Sequence, residues 1–208
     1  MRKIADSTVR RLSLYLRYLE EFETEGQATV SSEALATRGG TTSAQVRKDL
    51  SFFGSFGKRG LGYPVAELGT KLRDILGLSR RYRLVVIGAG KIGSALVQYR
   101  GFRQRGFDIV GLFDNDSAKI GSTYDGLPVR DVAELEQALA NERPDIGVIV
   151  VPGDQAQTVA DRLVRGGVKA ILNFAPAPLQ VPEDVSLKNV NLALELEALS
   201  FALASQRH

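Results

Sequence analysis

The stretch RLVVIGAGKIG at positions 83–93 constrains the fold of this chain more than any other part of it. Its apolar first half is typical of a buried strand, and Gly88, Gly90 and Gly93 follow in the pattern G-x-G-x-x-G. An amphipathic helix is predicted over residues 94–100, so the glycines occupy a strand-to-helix turn. Such a turn lets a pyrophosphate approach the backbone and meet the free N–H groups at the start of the helix.

A second apolar strand, residues 109–113, ends at Asp114. This carboxylate lies 21 positions after Gly93, where folds of this kind carry the acid that binds the ribose of a dinucleotide. Asp116 is the competing candidate, and we favour Asp114 because it ends the strand. The glycines alone would also fit a turn without a ligand, but the spacing to the acid favours a dinucleotide site.

Two further apolar runs, residues 145–152 and 169–174, predict strands buried on both faces of a parallel sheet, and residues 127–129 predict a short one. Ligands of open α/β sheets bind at the carboxyl ends of the strands, so we expect contacts from the glycine turn and from residues near those ends. The predicted cofactor-binding residues are Gly88, Ala89, Gly90, Lys91, Ile92, Gly93, Asp114, Lys119, Pro152, Asn173 and Phe174. A core role is the alternative for Phe174.

The first third of the chain carries the pattern of a helix-turn-helix unit. Residues 8–22 have apolar side chains at a helical period. Ser31 is placed to cap a short second helix, which a pair of glycines stops. A T-x-x-Q capping box starting at Thr42 opens a third helix, predicted over residues 43–53. A longer helix followed by two short ones around a glycine turn predicts this motif.

The polar face of the third predicted helix suits a DNA groove, because Arg and Gln side chains can bind base edges through two hydrogen bonds. Residues 55–65 are predicted to form a two-stranded ribbon with a basic tip, the wing of a winged helix. The predicted DNA-binding residues are Ser43, Ala44, Gln45, Arg47, Lys48, Ser51, Lys58, Arg59, Gly60 and Tyr63. A solvated charged face on an ordinary surface helix is the alternative.

Charge is distributed unevenly along the chain. Residues 1–79 carry 12 Lys and Arg against 9 Asp and Glu, whereas residues 80–208 carry 15 of each class. The net charge of +3 therefore lies in the first third, as expected for a small basic module joined to a neutral ligand-binding domain.

The last segment, residues 192–203, is apolar on nearly all sides of a predicted helix. Such a helix must be enclosed, yet it comes after the sheet is complete. We therefore predict a homodimer in which this helix packs on a second subunit, by isologous association or by exchange of the helix. Packing on the chain's own winged-helix domain is the alternative.

Composition bears on the class of function. The chain has no cysteine and its single histidine is His208, so we expect no metal site. No apolar run approaches a membrane span, and we expect a cytoplasmic protein without a membrane partner. An NAD-dependent dehydrogenase is the enzymatic alternative, but none of the six tyrosines belongs to a Tyr-x-x-x-Lys pair and no acid or base candidate stands out. A coenzyme A-binding module would share the glycine turn but would leave the helix-turn-helix unexplained.

A series of motifs resembles the Rex family of redox-sensing transcriptional repressors. Between Leu12 and Phe201 they read VSSEALA, AQVRKDLSFFG, KRGLGY, GAGKIG, LFDND, PVRDV, VPGDQAQTVAD, ILNFAP and NVNLALELEALSF. The resemblance implies a homodimer with N-terminal winged helices and C-terminal Rossmann domains that represses respiratory and fermentative genes. It also implies that NADH releases the operator DNA, whereas NAD⁺ permits binding.

This chain departs from the family pattern at three places. Lys91 stands in the glycine turn where the family usually has Asn, and it adds a candidate phosphate contact. Gly153 replaces the alanine of the family's Val-Pro-Ala, and Asn191 stands where the family usually has Asp. The resemblance implies that position 191 couples the domains through Arg17 of the first helix. Tyr99, at the end of the helix after the glycine turn, is a further candidate for coupling, with packing as the alternative.

The sequence thus predicts an α/β protein with three parts. These are a winged helix-turn-helix DNA-binding domain at residues 1–79, a Rossmann NAD(H)-binding domain with a doubly wound parallel sheet at 80–192, and a dimerisation helix at 193–208. We expect a repressor, not an enzyme, that binds palindromic double-stranded operator DNA as a homodimer. Its expected cofactors are NADH and NAD⁺, whose ratio it would sense.

Overall fold

The computed structural model describes residues 4–57 and 61–205, and the chain divides into two compact units, residues 1–80 and 81–208. The predicted wing-tip residues Lys58, Arg59 and Gly60 lie outside the described residues.

The first unit is mainly helical. Its elements are α1 (Asp6–Thr24), β1 (Thr29–Val30), α2 (Ser32–Arg38), α3 (Ser43–Ser51), β2 (Tyr63–Pro64) and α4 (Val65–Ile75). One apolar face of each helix enters a single core, whose members include Leu12, Leu16, Leu35, Leu50 and Leu72. The helix-turn-helix predicted from the sequence is therefore confirmed.

Side-chain caps begin α2 and α3. The Ser31 hydroxyl accepts a hydrogen bond from Ala34 N–H at 3.1 Å, and the Thr42 hydroxyl accepts one from Gln45 N–H at 3.1 Å. The predicted capping box is only half formed, because the Gln45 side chain donates to Asp49 at 2.8 Å. A cap of this kind contributes about 1 kcal/mol to helix stability.

Of the ribbon predicted over residues 55–65, the structure describes residues 55–57 and 61–65, and the predicted tip lies outside the described residues. β2 pairs antiparallel with β1, so that Tyr63 faces Val30. Gly57 and Gly62 have φ of +72° and +76°, a conformation that breaks an extended strand. They also approach each other closely, because a Cβ on Gly57 would lie 2.3 Å from Gly62 O. The backbone of the described part of this loop therefore closes on itself beside β1.

The second unit contains a seven-stranded sheet. Its strands are β3 (Tyr82–Ile87), β4 (Phe107–Asp114), β5 (Thr123–Tyr124), β6 (Leu127–Asp131), β7 (Ile146–Ile149), β8 (Ala170–Asn173) and β9 (Ser186–Asn189). Its helices are α5 (Lys91–Gln98), α6 (Gly101–Gln104), α7 (Leu135–Glu142), α8 (Gly153–Arg165) and α9 (Leu192–Ser205), with a short 3₁₀ turn at Val132–Glu134.

The strand order is β5-β6-β4-β3-β7-β8-β9, and only the β5–β6 pair is antiparallel. Without the short β5, this is the 3-2-1-4-5-6 order of a doubly wound Rossmann sheet, which confirms the predicted fold class. The chain direction of the crossovers reverses between β3 and β7. Ligands bind at such a switch point, outside the carboxyl ends of the strands.

The two faces of the sheet are covered unequally. Val85 and Ile87 of β3 belong to a core that includes side chains of α7 and α8. Leu84 and Val86 point to the opposite face, whose smaller core includes Val97 of α5. On that face an apolar groove of about 280 Å³ runs from β4 across β3 and β7 to β8.

Helix α5 differs from the predicted range 94–100. It begins at Lys91 because Gly90 already has the extended backbone of an N-cap residue, with ψ of −170°. It ends at Gln98 because Tyr99 leaves the helical conformation, with ψ of 97°. The glycine turn therefore opens directly into the helix.

Helix α9 has no buried residue. Its large apolar side chains are between 58% and 76% exposed, and they are Leu192, Leu194, Leu196, Leu199, Phe201 and Leu203. Within residues 4–57 and 61–205, no helix is long and apolar enough to cross a membrane.

Candidate functional site

The glycine turn between β3 and α5 admits no side chain at two of its glycines. Gly88 has φ of +109°, and a Cβ there would lie 2.4 Å from Val150 O. A Cβ on Gly93 would lie 1.9 Å from Gly88 O, so this glycine lets α5 pack against the turn. No atom of the described residues lies within 4 Å of the Cβ position of Gly90, and this leaves open space in front of the N-terminus of α5. These are the three roles that a dinucleotide-binding turn requires.

Asp114, at the end of β4, faces this turn from the neighbouring strand. Its side chain is only 7% exposed and accepts hydrogen bonds from Ala89 N–H at 2.7 Å and Asp116 N–H at 2.9 Å. Lys119 Nζ lies 3.3 Å from the same carboxylate. Burial alone would raise the pKa of Asp114, but the hydrogen bonds from Asp116, Ala89 and Lys119 outweigh it and hold the pKa below its usual value. Asp114 is therefore an ionised acceptor beside the glycine turn.

A cleft of about 580 Å³ lies at this edge of the sheet. Of the predicted cofactor-binding residues, it is lined by Gly88, Gly90, Asp114, Lys119 and Pro152. Ala89 and Gly93 belong to the same turn, and Lys91 and Ile92 are exposed in the first turn of α5.

Two predicted contacts, Asn173 and Phe174, are not among the described residues that line this cleft. Asn173 is 1% exposed, and its amide nitrogen donates to Ala175 O, Ala177 O and Asn189 Oδ1 at 2.9–3.2 Å. Its own Oδ1 accepts from Ala175 N–H, so the side chain fixes the backbone after β8. Phe174 packs against the core on the α5 face of the sheet.

Helix α8 contributes cleft residues that the sequence reasoning missed, among them Gln155, Thr158 and Arg162. Arg162 is held by two bonds of 2.6 Å to Glu136 and by a third of 2.6 Å to Val132 O. Hydrogen bonds from Arg162 lower the pKa of Glu136 to about 2. A helix that starts directly after Pro152, at the end of a strand, was the signal that could have found them.

The cleft fits a dinucleotide. The backbone N–H groups at the start of α5 can bind phosphate oxygens through the open space at Gly90. The Asp114 carboxylate can accept hydrogen bonds from ribose hydroxyls, and the valines Val132, Val150, Val151 and Val159 give the cleft an apolar wall.

The outward face of α3 is polar. Ala44, Arg47, Lys48 and Ser51 are exposed, whereas Ser43 and Gln45 are half-buried. Tyr63 of β2 is also half-buried, and burial raises the pKa of its hydroxyl. Arg47 is not free in solution: its Nη1 donates to Ser32 Oγ at 2.9 Å and lies 3.4 Å from Glu33 Oε1.

A buried ion cluster behind α3 was missed by the sequence reasoning. Asp49 is 0% exposed and receives hydrogen bonds from Arg11 at 2.6 and 2.8 Å, from Tyr15 at 3.0 Å and from Gln45 at 2.8 Å. Burial raises the pKa of Asp49, but its bonds to Arg11, Gln45 and Tyr15 more than offset this, and the pKa lies below its usual value. An acid within the apolar stripe Val46-Leu50-Phe53 was the available signal. The cluster fixes α3 on α1.

The three residues predicted to couple the domains have different surroundings. Arg17 is exposed on α1. Tyr99 is 60% exposed and meets the Phe102 ring edge-to-face at 5.0 Å. Asn191 Oδ1 accepts a hydrogen bond from Ala193 N–H at 3.0 Å and so caps α9. Over residues 4–57 and 61–205, no group of three or more His, Cys, Asp or Glu could hold a metal ion.

A helix-turn-helix unit followed by a Rossmann unit with a dinucleotide-type cleft defines a class of ligand-responsive transcription regulators. Family comparisons support each half: a model described as "Putative DNA-binding protein N-terminus" matches residues 3–51, and one described as "CoA binding domain" matches residues 79–177.

Full-length relatives identify the family. The redox-sensing transcriptional repressor Rex of Carboxydothermus hydrogenoformans is 52% identical over 96% of both chains, and that of Syntrophomonas wolfei is 51% identical over 97% of this chain and 96% of its own. A crystal structure of RSP, a Rex-family repressor, in complex with NAD⁺ and operator DNA has a TM-score of 0.94 at 41% identity, covering all of this chain and 95% of RSP. RSP with NADH has a TM-score of 0.90 at 40% identity, covering all of this chain and 97% of RSP. The chain belongs to the Rex family of redox-sensing transcriptional repressors.

Proposed function

We propose that this chain represses transcription by binding operator DNA through α3 and that NADH in the cleft of the second unit releases the DNA. The observation that carries this proposal is the glycine turn at α5, open at Gly90 and bonded to the buried Asp114 at 2.7 Å. Complexes of RSP with NADH and with NAD⁺ and operator DNA support it, since RSP shares the fold of the whole chain.

The Asp114 carboxylate favours NAD(H) over ligands with a phosphorylated adenosine ribose. Such a phosphate would meet an ionised, 7% exposed carboxylate at close range. Coenzyme A, which the matching domain family is named after, carries a phosphate on that ribose, and so does NADP(H). A ribose with two free hydroxyls instead donates hydrogen bonds to the same oxygens.

On DNA, α3 enters the major groove and presents Arg47 and Lys48, with Ala44 and Ser51 small enough to allow a close approach. The basic wing tip, Lys58 and Arg59, supplies backbone contacts. Because we infer a two-fold dimer, the operator is a palindrome whose half-sites lie about one helical turn or a multiple apart.

The dimer is inferred from α9. Six large apolar side chains more than half exposed on one helix are unusual for a chain that stays single. The same unit leaves an apolar groove on the α5 face of its sheet, lined by Leu84, Val86, Ile146, Val148 and Leu172. We infer that α9 of a second copy covers apolar surface of this kind and completes the core of the second unit.

The protein is a regulator by its family, and we infer that the cleft carries no hydride transfer to a substrate. The relatives that match nearly the whole chain are named transcriptional repressors, and this supports a role in regulation. NADH and NAD⁺ are thus ligands whose binding is read out, not reactants.

Coupling between the two sites is assigned to Arg17, Tyr99 and Asn191. Asn191 caps α9, and an aspartate would cap it equally well, so Asn191→Asp changes the charge at this position without removing the cap. If Arg17 binds position 191, the added charge strengthens the contact, and we expect a larger difference in NADH affinity between free and DNA-bound protein.

A titration of the operator complex tests the function. Fluorescence anisotropy of a labelled operator duplex should fall on adding NADH and stay high with NAD⁺, NADPH or coenzyme A at equal concentration. Release by coenzyme A and not by NADH would assign the cleft to the other ligand class.

A further inference from the structure

Arg47, the side chain proposed to bind base edges, forms hydrogen bonds with side chains in the first turn of α2. Its Nη1 donates to Ser32 Oγ at 2.9 Å, and the same nitrogen lies 3.4 Å from Glu33 Oε1. The Ser32 hydroxyl in turn donates to Glu33 Oε2 at 3.3 Å. The three side chains form one connected chain between α2 and α3.

The local sequence explains this arrangement. Ser31 caps α2, so Ser32 and Glu33 occupy the first helical positions, where α2 approaches α3. Ser32 is only 8% exposed and has little freedom to turn away. The backbone N–H of Glu33 and the Ser31 hydroxyl lower the pKa of the Glu33 carboxyl, with smaller contributions from Ser32 and Arg47. These hydrogen bonds favour the ionised form of the Glu33 carboxyl.

The contacts engage only one nitrogen of the guanidinium. Within residues 4–57 and 61–205, Nη2 and Nε of Arg47 have no hydrogen-bond partner, and the side chain is 54% exposed. Binding the edge of a guanine base requires two parallel N–H donors from the guanidinium group. A long arginine side chain that must be ordered on binding loses rotamer freedom, and a side chain already held loses less.

We propose that Ser32 and Glu33 are positioning residues that hold Arg47 ready for a base edge and keep it from turning to a phosphate. This inference rests on the proposed role of α3 as the DNA-reading helix. Glu33 has a second effect, because an anion beside the reading side chain repels the phosphates of any duplex. Ser32 and Glu33 thus favour operator over other sequences, at some cost in affinity for DNA in general.

Two substitutions separate these effects. Ser32→Ala removes the hydrogen bonds of this hydroxyl with Arg47 and Glu33 without a change of charge, and Glu33→Gln removes the charge. The matched controls are Ser13→Ala, which removes a hydroxyl on α1 bonded to Val9 O, and Glu23→Gln, which removes an exposed acid of α1. Affinity is measured by anisotropy for the operator and for a duplex of scrambled sequence, at fixed salt and without nucleotide.

We expect Ser32→Ala to lower the ratio of operator to scrambled affinity about 2- to 10-fold, as the loss of the hydrogen bond that holds Arg47 predicts, with little change for the scrambled duplex. Glu33→Gln should lower the same ratio and raise scrambled-duplex affinity about 2- to 5-fold. Both controls should keep the wild-type ratio. Unchanged ratios in Ser32→Ala and Glu33→Gln would overturn the proposal.

Arg47→Ala distinguishes failure of this inference from failure of the proposed function. If Arg47→Ala keeps full operator preference, α3 does not read bases through Arg47 and the proposed function loses its recognition residue. If Arg47→Ala loses the preference, Ser32→Ala should have no further effect in that background, because it acts through Arg47. An equal effect of Ser32→Ala with and without Arg47 would show a merely structural role and would also overturn the proposal.

Discussion

The two units of this chain differ in how completely each covers its own apolar surface. In the first unit, α1 to α4 share a core in which Leu12, Leu35 and Leu72 are fully buried, and even the buried acid Asp49 has all its partners within the unit. In the second unit, a well-packed sheet face around Ile87 and Leu163 coexists with an apolar groove on the opposite face and with the exposed helix α9.

This difference between the units agrees with the different role proposed for each of them. The first unit buries the apolar faces of its helices and presents the polar face of α3, on which Ser32 and Glu33 hold Arg47. The second unit is incomplete, and the same unit carries the nucleotide cleft. In the proposed dimer, a ligand in that cleft acts on DNA binding by changing how the two copies are arranged, and this rearrangement is the two-state element that coupling between distant sites requires.

The largest expected effect comes from placing charges on the exposed apolar side chains of α9 in the second unit. Leu196→Glu together with Leu199→Glu places charges on two α9 side chains that are 66% and 61% exposed in the single chain. If a second copy covers them, the dimer dissociation constant should rise at least about 100-fold, because charges then enter an apolar interface. Sedimentation velocity measures it. Leu61→Glu, at 69% exposure, is the control and should stay dimeric; an unchanged dimer in the double variant would rule out α9 as the interface.

The next prediction tests the buried ion cluster around Asp49 in the first unit. Arg11→Met leaves Asp49 buried with its charge partner removed, and such a loss costs about 3 kcal/mol of folding free energy. Lys71→Met removes an exposed pair with Glu67 and should cost no more than about 0.5 kcal/mol. Denaturant unfolding of the two variants gives both values. Equal small losses would mean that Asp49 does not depend on Arg11.

Acid should weaken the first unit through the same carboxylate. Because the folded pKa of Asp49 is below the ordinary value of 3.8, its contribution to stability is present above that pH and is lost as the pH falls through the folded pKa. Unfolding free energies at pH 7 and pH 3 should therefore differ less in Arg11→Met than in the wild type. A larger acid sensitivity in the variant would contradict this assignment.

A smaller effect concerns the cleft. Asp114→Asn replaces the acceptor that faces the glycine turn, so the affinity for NADH should fall about 10-fold. The ratio of NADH affinity to NADPH affinity should also become smaller. The control is Asp116→Asn, which changes a carboxylate that is 45% exposed. It should leave the NADH affinity and the ratio of NADH to NADPH affinity unchanged. Calorimetric titration with the two nucleotides measures the preference. A loss of NADH affinity in Asp116→Asn but not in Asp114→Asn would assign the ribose contact to Asp116.

The features that follow from short-range pattern were predictable from the sequence. The strand–glycine–helix turn, Asp114 at the end of β4 and the caps Ser31 and Thr42 follow local rules of backbone geometry, and the structure places them as expected. Asn173 shows the limit, because its position at the carboxyl end of a strand predicted a ligand contact, whereas in the structure its side chain bonds to Asn189, 16 residues further on.

Long-range pairing accounts for the remaining differences. The partner of Tyr63 is Val30, more than 30 residues earlier, and the local pattern over 55–65 did not predict this pairing. The burial of Asp49 depends on Arg11 of another helix. No local rule gives such pairings, because they depend on which elements the whole unit brings together.

Nucleotide binding in the cleft and operator binding through α3 are proposed to be coupled within one protein. The most direct test is the NADH affinity of the wild-type protein with and without saturating operator at fixed salt. Linkage requires operator to weaken NADH binding by the same factor by which NADH weakens operator binding, and coupling of about 1–3 kcal/mol corresponds to a roughly 5- to 150-fold difference. We expect a value in the lower part of that range, increased by Asn191→Asp. Equal NADH affinity in both titrations would show that the cleft and α3 are not coupled.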